Sequence, residues 1–510
     1  MTSQNTSVDV NPSAGETCKE FFAETTAHGF GQVVKQQAST SARVTWAVLI
    51  LVAFVASGVH LGYLCTEYLK YGTGEKVELS DQPPTFPSVT VCNKAPLRST
   101  YIIPLNILQY SYLNDIPINV ALFENMNSTE AEDIGHEFKQ MVFGCYNNSY
   151  TREKCNDDLI RLYQTSAYFN CYTIPGAYLA NTISKKTGLT LNLYFNYNDR
   201  TNINWLANSD ALFTGDRSED MGARLDIHAP GTLPAPYTYG IDILAGHMTT
   251  IALTQTTRKL QPAPYGDCTK RETLPGHDEY KYDLRGCLEV CSARFINDFC
   301  NCTSGLFAAV TQPNPEKYCR KIGSVTRANQ NYVRYCDGYI YRTQFDQSAC
   351  DCKEPCTQDI YNPVLQRRTW PSKFGYDNLF DVIYNHTNAT LLQAQLQEEI
   401  GEGLTEENTE RFEKFRNQHL ARVEIDFRSL LVDVKRQEPL MTLTDFLAAI
   451  GGVLGLYIGF SVLTITEFLM LPGRLIAHYV KRRQQVGSAA VDDAVSQTVT
   501  SEEFKTNIDA

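Results

Sequence analysis

Two long stretches without a charged side chain bracket this chain and constrain it more than anything else in it. From Val44 to Thr66 there is no Asp, Glu, Lys or Arg, and a second such run lies between Asp445 and Glu467. About 20 helical residues cross a hydrocarbon core of roughly 30 Å, so each run is long enough to span a bilayer. A cleaved signal peptide is the rival reading of the first run, but 43 residues precede it, whereas a signal starts near the terminus. Lys35 and Arg43 stand before the first run with no acid between Glu24 and Glu67, and Arg474, Lys481, Arg482 and Arg483 follow the second. The positive-inside rule then expects cytosolic segments at 1–43 and 473–510, spans at 44–66 and 441–472, and an outside domain at 67–440.

That outside domain must be an ordinary folded one. The chain is 20% charged, with a mean hydropathy of −0.28, too polar for a transporter made mostly of spans. Its net charge of −12 argues against nucleic acid as a partner, because phosphate binding needs clustered Lys and Arg. Of sixteen cysteines, Cys18 and Cys65 stand apart. The other fourteen are Cys92, Cys145, Cys155, Cys171, Cys268, Cys287, Cys291, Cys300, Cys302, Cys319, Cys336, Cys350, Cys352 and Cys356. An even number in an extracellular segment reads as disulfides, and the near-mirror spacing around Cys300/Cys302 and Cys350/Cys352 suggests nested bridges rather than a zinc site. Spacing alone leaves the pairing open. Glycosylation sequons at Asn127, Asn147, Asn385 and Asn388 suit the same compartment; Asn301 has a cysteine in its middle position, and Asn5 lies in the expected cytosolic tail.

Alternation over 85–92, 189–195 and 422–434 predicts strands, while 105–170 and 389–420 read as helical, so the fold class is α+β: a β-sheet core with peripheral helices, disulfide-rich, on two transmembrane helices. Enzyme motifs are lacking. His136-Glu137 opens like a zinc-protease helix, but the second histidine position holds Gln140, and there is no nucleophile elbow. In the second span Gly451, Gly455 and Gly459 recur every fourth residue, a face suited to close helix packing.

Four features in order then resemble the degenerin/epithelial sodium channel superfamily, which includes acid-sensing and peptide-gated channels. They are His28-Gly29 before the first span, Phe86-Pro87-Ser88-Val89-Thr90-Val91-Cys92-Asn93 after it, the cysteine ladder, and Gly455-Leu456-Tyr457-Ile458-Gly459-Phe460-Ser461-Val462-Leu463 in the second span. The resemblance implies a homotrimeric, amiloride-blocked plasma-membrane channel with both termini cytosolic, no cofactor, and sodium as the permeant ion. It implies a selectivity filter at Gly459, Phe460 and Ser461, where a broken helix lines water. Ala448, Gly452, Gly455 and Glu467 would belong to the pore and gate, and His28-Gly29 to a cytosolic gating loop. The implied bridges are Cys92–Cys171, Cys145–Cys155, Cys268–Cys356, Cys287–Cys352, Cys291–Cys350, Cys300–Cys336 and Cys302–Cys319, the last five forming a ladder in a thumb at about 268–370.

Long epithelial-type subunits carry a PPxY tail motif, which is missing here, and where acid-sensing channels are His-rich after the first span this chain reads Tyr71-Gly72-Thr73-Gly74-Glu75-Lys76-Val77. The resemblance is therefore nearer to invertebrate channels opened by FMRFamide-like peptides, with proton-gated or constitutively active channels, and more remotely a non-conducting two-span receptor, as alternatives. A finger at about 105–170 combines aromatics with acids, as a cationic aromatic peptide needs; Tyr110, Phe123, Glu132, Asp133, Phe138, Asp157 and Asp158 are its candidate contacts.

Overall fold

The computed structural model describes residues 14–35, 38–98, 100–114, 116–147, 154–176, 188–196, 221–311, 317–323, 345–477 and 479–480. Asn5, Cys336, Lys481, Arg482 and Arg483 lie outside them. The chain divides into two compact units, one of residues 1–74 and 439–510, the other of residues 75–438.

The helices in chain order are α1 (Ala14–Glu24), α2 (Phe30–Val34), α3 (Thr40–Leu69), α4 (Leu105–Asn114), α5 (Ile118–Phe123), α6 (Ser128–Ile134), α7 (Phe138–Met141), α8 (Leu284–Cys300), α9 (Tyr376–His386), α10 (Thr390–Glu399), α11 (Thr409–His419), α12 (Leu443–Ile458) and α13 (Val462–Ala477). In the first unit, α3 contains the first uncharged run and extends past it at both ends. Ser39 caps it by accepting from the Ala42 N–H at 3.3 Å, and its 30 residues measure about 45 Å. Among the described residues it is the one helix long and apolar enough to cross a membrane unaided. The second run is a bent pair: α12 and α13 meet at 73° across a short break. Thr442 starts α12 with a capping box in which Asp445 returns the bond.

The second unit is built on two sheets. The first has seven strands: β1 (Thr73–Ser80), β3 (Val142–Asn147), β6 (Gly188–Tyr194), β9 (His247–Lys259), β12 (Thr357–Thr369), β13 (Leu420–Phe427) and β14 (Val432–Pro439). The second has five: β2 (Ser88–Asn93), β4 (Arg161–Thr165), β5 (Phe169–Ile174), β7 (Ala223–His228) and β8 (Ile241–Ile243). A separate hairpin joins β10 (Thr273–Leu274) to β11 (His277–Lys281). The thirteen residues of β9 organise the larger sheet. They pair antiparallel with all of β12 and parallel with β13, then with β14. Inward residues of both sheets, among them Val89, Val91, Leu191, Leu225, Ile251, Val423 and Ile425, interdigitate in one core and are all 0% exposed. Cutting any of the aliphatic ones to Ala costs about 2–5 kcal/mol.

Two expectations need correction. The alternating run over 422–434 is not one strand: β13 and β14 lie in turn along β9, and residues 428–431 step out between Phe427 opposite Leu253 and Asp433 opposite Thr256. The finger is helical only to Met141. The rest of 105–170 supplies β3 to the larger sheet and β4 and the start of β5 to the smaller one, because from Val142 on the apolar residues alternate instead of recurring at helical spacing. Likewise 357–369, the end of the expected thumb, is strand β12.

Candidate functional site

The break between α12 and α13 is built rather than frayed. Gly459 sits in the left-handed region at φ 68°, its N–H donating to the Gly455 carbonyl at 3.0 Å, and the Phe460 N–H reaches back to Leu454 at 3.2 Å. Ser461 then caps α13 reciprocally. Its hydroxyl accepts from the Thr464 N–H at 3.2 Å while the Thr464 hydroxyl accepts from the Ser461 N–H at 3.2 Å. Ser461 itself stays exposed, and the Phe460 ring leans on Phe468 at 5.5 Å.

The N-terminal segment closes on this break. The His28 N–H donates to the Ile458 carbonyl at 2.9 Å, at the last residue of α12. Glu467 accepts from the Thr26 N–H and the Thr25 hydroxyl, each at 3.0 Å, and the Thr26 and Thr464 hydroxyls pair at 2.6 Å. A Cβ added to Gly459 would lie 2.5 Å from the His28 ring, and one added to Gly29, at φ 83°, would lie 3.1 Å from Ile50 on α3. Gly459 is therefore required by close approach as well as by backbone, and Gly29 by its backbone. Six of the expected pore and gating residues, His28, Gly29, Gly459, Phe460, Ser461 and Glu467, come together here, and the Gly455 carbonyl accepts the Gly459 N–H. Ala448 and Gly452 stand apart from it: Ala448 is exposed, and around Gly451, Gly452 and Gly455 a Cβ would meet nothing within 4 Å, so among the described residues nothing packs on this glycine face of α12.

In the second unit six disulfides join described cysteines: Cys92–Cys171, Cys145–Cys155, Cys268–Cys356, Cys287–Cys352, Cys291–Cys350 and Cys302–Cys319. Two of them tie α8 to the irregular segment at 350–352, and the partner expected for Cys300 is the undescribed Cys336. At the foot of α8, Asp283 caps the helix through the Gly286 N–H, and burial pushes its pKa up to about 6. Beside it burial opposes ionisation of Asp226, but the Arg285 guanidinium at 2.6 Å outweighs that and lowers the Asp226 pKa. Glu289, bonded to Thr238, is raised by burial. His136, the false zinc-helix histidine, is pushed down to about 4 by burial and bonds the Ala95 carbonyl. No group of metal ligands forms among the described residues.

The finger candidates divide. Phe123 is 4% exposed, Phe138 packs edge-on to Tyr172 at 5.5 Å, and the Tyr110 hydroxyl donates to the Arg320 carbonyl at 3.0 Å. These aromatics serve packing, because the short finger helices bury their apolar faces among themselves and against Phe169 and Tyr318. Glu132, Asp133, Asp157 and Asp158 are exposed, and Asp157 pairs with Lys139 at 3.2 Å. What the sequence did not show is a cavity of about 270 Å³ between α6, β4 and the thumb. Phe123, Leu162, Tyr163, Tyr280 and Tyr318 give it an aromatic and aliphatic lining, and Ser128 and Gln164 add polar groups. Helix α6 forms one wall with Ala131 and turns Glu132 and Asp133 outward. Of the sequon asparagines, Asn127, Asn385 and Asn388 are exposed, whereas Asn147 is only 4% exposed on β3 and has no room for a glycan.

An FMRFamide-activated amiloride-sensitive sodium channel of Cornu aspersum is 26% identical over 91% of this chain and 84% of that protein. Acid-sensing ion channel 1 of Gallus gallus is 23% identical over 91% of this chain and 85% of that protein, and the degenerin deg-1 of Caenorhabditis elegans is 25% identical over 69% of this chain and 40% of its own length. The family described as amiloride-sensitive sodium channel matches residues 21–471, so this chain belongs to that family and is an ion channel rather than an enzyme.

Proposed function

We propose that this chain is a sodium-selective channel opened by an extracellular amidated, FMRFamide-like peptide and blocked by amiloride. It assembles as a homotrimer in the plasma membrane, with α3 and the bent α12–α13 pair as its two spans and both termini in the cytosol. The unpartnered glycine face of α12 supports close packing of three copies, since small residues let membrane helices approach. Gly459, Phe460 and Ser461 then form the filter, where the helix break turns backbone toward the ion path and the exposed Ser461 side chain borders it. Residues 25–29 hold that break from below.

The cavity beside α6 is the observation that carries peptide gating. An uncharged aromatic lining next to Glu132 and Asp133 suits a ligand with one aromatic side chain and one cation. Current from cells expressing this chain alone, on applying FMRFamide, reversing near the sodium potential and blocked by amiloride, is the expected result. Silence to the peptide, or a requirement for a second subunit, overturns the reading. Proton gating is the second reading, favoured by Asp283, which titrates near pH 6 at the foot of the thumb helix. Activation by acid alone would select it.

A further inference from the structure

Next to that cavity, finger and thumb are joined by two consecutive polar residues, Glu124 and Asn125. Glu124 ends α5 and is 0% exposed. Its carboxylate accepts from two separate thumb amides, Gly305 N–H at 2.8 Å and Arg320 N–H at 2.7 Å, with the Arg320 guanidinium at 3.9 Å. Asn125 grips the same loop from both sides. Its Oδ1 accepts from the Ile322 N–H at 2.6 Å and its Nδ2 donates to the Arg320 carbonyl at 3.0 Å. Tyr110 donates to that carbonyl too. From the other side the Ser166 N–H donates to the Gly305 carbonyl at 2.9 Å and the Thr165 hydroxyl to Leu306 at 3.1 Å. Gly305 has to be glycine, because a Cβ there would lie 2.9–3.0 Å from Ser166, Glu124 and Phe123.

We propose that Glu124 and Asn125 are positioning residues for gating: they clamp the thumb segments at 303–311 and 317–322 to the finger, so that a ligand in the adjacent cavity moves the two as one body. The physical reason is the asymmetry of a buried charge. Paired with two amides it is well satisfied, but drawing finger and thumb apart strands a carboxylate away from water, which costs far more than breaking an exposed contact. A wedge entering the cavity, whose walls Phe123 and Tyr318 belong to the two clamped segments, therefore cannot be relieved at this seam. Its displacement passes into the loop that Cys302–Cys319 closes and on to α8, which Cys287–Cys352 and Cys291–Cys350 brace. Binding energy that would otherwise open the seam is kept as coupling.

The inference rests on peptide gating, and the test keeps the two apart. Full-length channels carrying Glu124→Gln, Asn125→Ala or Asn125→Asp are compared with wild type by surface labelling and by FMRFamide dose–response. Gln still accepts one amide but turns a donor toward the other, so E124Q and N125A should raise the half-maximal peptide concentration at least about tenfold with unchanged sodium/potassium permeability, whereas N125D, which keeps its bond to Ile322, should shift it less. A merely structural role would lower surface amount and leave potency alone. If E124Q fails to reach the surface, Thr165→Val removes one bond of the same seam and should shift potency in the same direction. Wild-type potency in surface-expressed E124Q and N125A, or in T165V, overturns the clamp. A wild-type channel silent to peptide overturns the gating reading instead. The clamp is then judged by hydrogen exchange on purified protein, where the Gly305, Arg320 and Ile322 amides should exchange at least about tenfold faster in E124Q, and equal protection refutes it.

Discussion

Gly459 carries two demands at once, a left-handed backbone and a 2.5 Å approach to His28 that no side chain fits. Substituting Gly459→Ala adds about 1–2 kcal/mol of backbone strain and an overlap with the imidazole. Whole-cell recording should find surface-expressed G459A without wild-type current, and adding His28→Ala should restore little, because the strain remains. Asp283 sets a pH dependence. Its folded pKa of about 6 lies above its ordinary 3.8, so between those values the folded chain binds more protons than the unfolded one. Its contribution to stability is present at the acid end and is lost as pH rises through 6. Asn keeps the oxygen that accepts the Gly286 N–H but cannot titrate. The thermal midpoint of Asp283→Asn should therefore gain less than that of wild type on going from pH 7 to pH 5, and equal gains would remove Asp283 from the account. The same two residues show what a sequence discloses: Gly459 stands out by its spacing with Gly451 and Gly455, whereas the shift at Asp283 comes from burial beside Asp226, 57 positions away in the sequence, which no local pattern encodes.

Among the elements, α13 begins where it does because Ser461 and Thr464 exchange hydrogen bonds, and Thr464 also meets Thr26. Thr464→Val keeps the shape and the N–H bond to Ser461 but removes the hydroxyl's bonds to the Ser461 N–H and to Thr26, at a cost of about 0.5–2 kcal/mol to the helix start. A shifted sodium/potassium reversal potential is the expected result; an unchanged one would make the cap a passive feature. The long elements were legible: an uncharged run for α3, and alternation for β6 and β13, whose inward residues fill the core. The junctions were not. A helix-to-strand change at Met141–Val142 and the step at 428–431 depend on what β6 and β9 present to them, and the finger–thumb cavity takes its walls from segments more than 150 residues apart.

At the scale of the molecule the fourteen cysteines and the two uncharged runs led to the reading of an outside domain between two spans, and the family match covers residues 21–471. Burial refines the surface of that domain. Glycans should occupy Asn127, Asn385 and Asn388 and spare Asn147, which a glycosidase gel shift with single sequon variants will show. Thr129→Ala removes the first sequon while leaving Asn127 to cap α6, and loss of a fourth glycan on changing Asn147 would contradict its burial. The contacts of Thr25, Thr26 and His28 with Ile458, Thr464 and Glu467 also impose an order in time. Thr25 and Glu467 are 442 residues apart, which at usual synthesis rates of about 5–20 residues per second separates their emergence from the ribosome by roughly 20–90 s. Throughout that interval residues 25–28 lack their partners on α12 and α13, although Gly29 and Phe30 already have Ile50 and Phe54 of α3 to pack on. The contacts around the α12–α13 break are thus completed only once Glu467 has been made, and a subunit halted before it leaves Thr25 and Thr26 without the carboxylate that they bond.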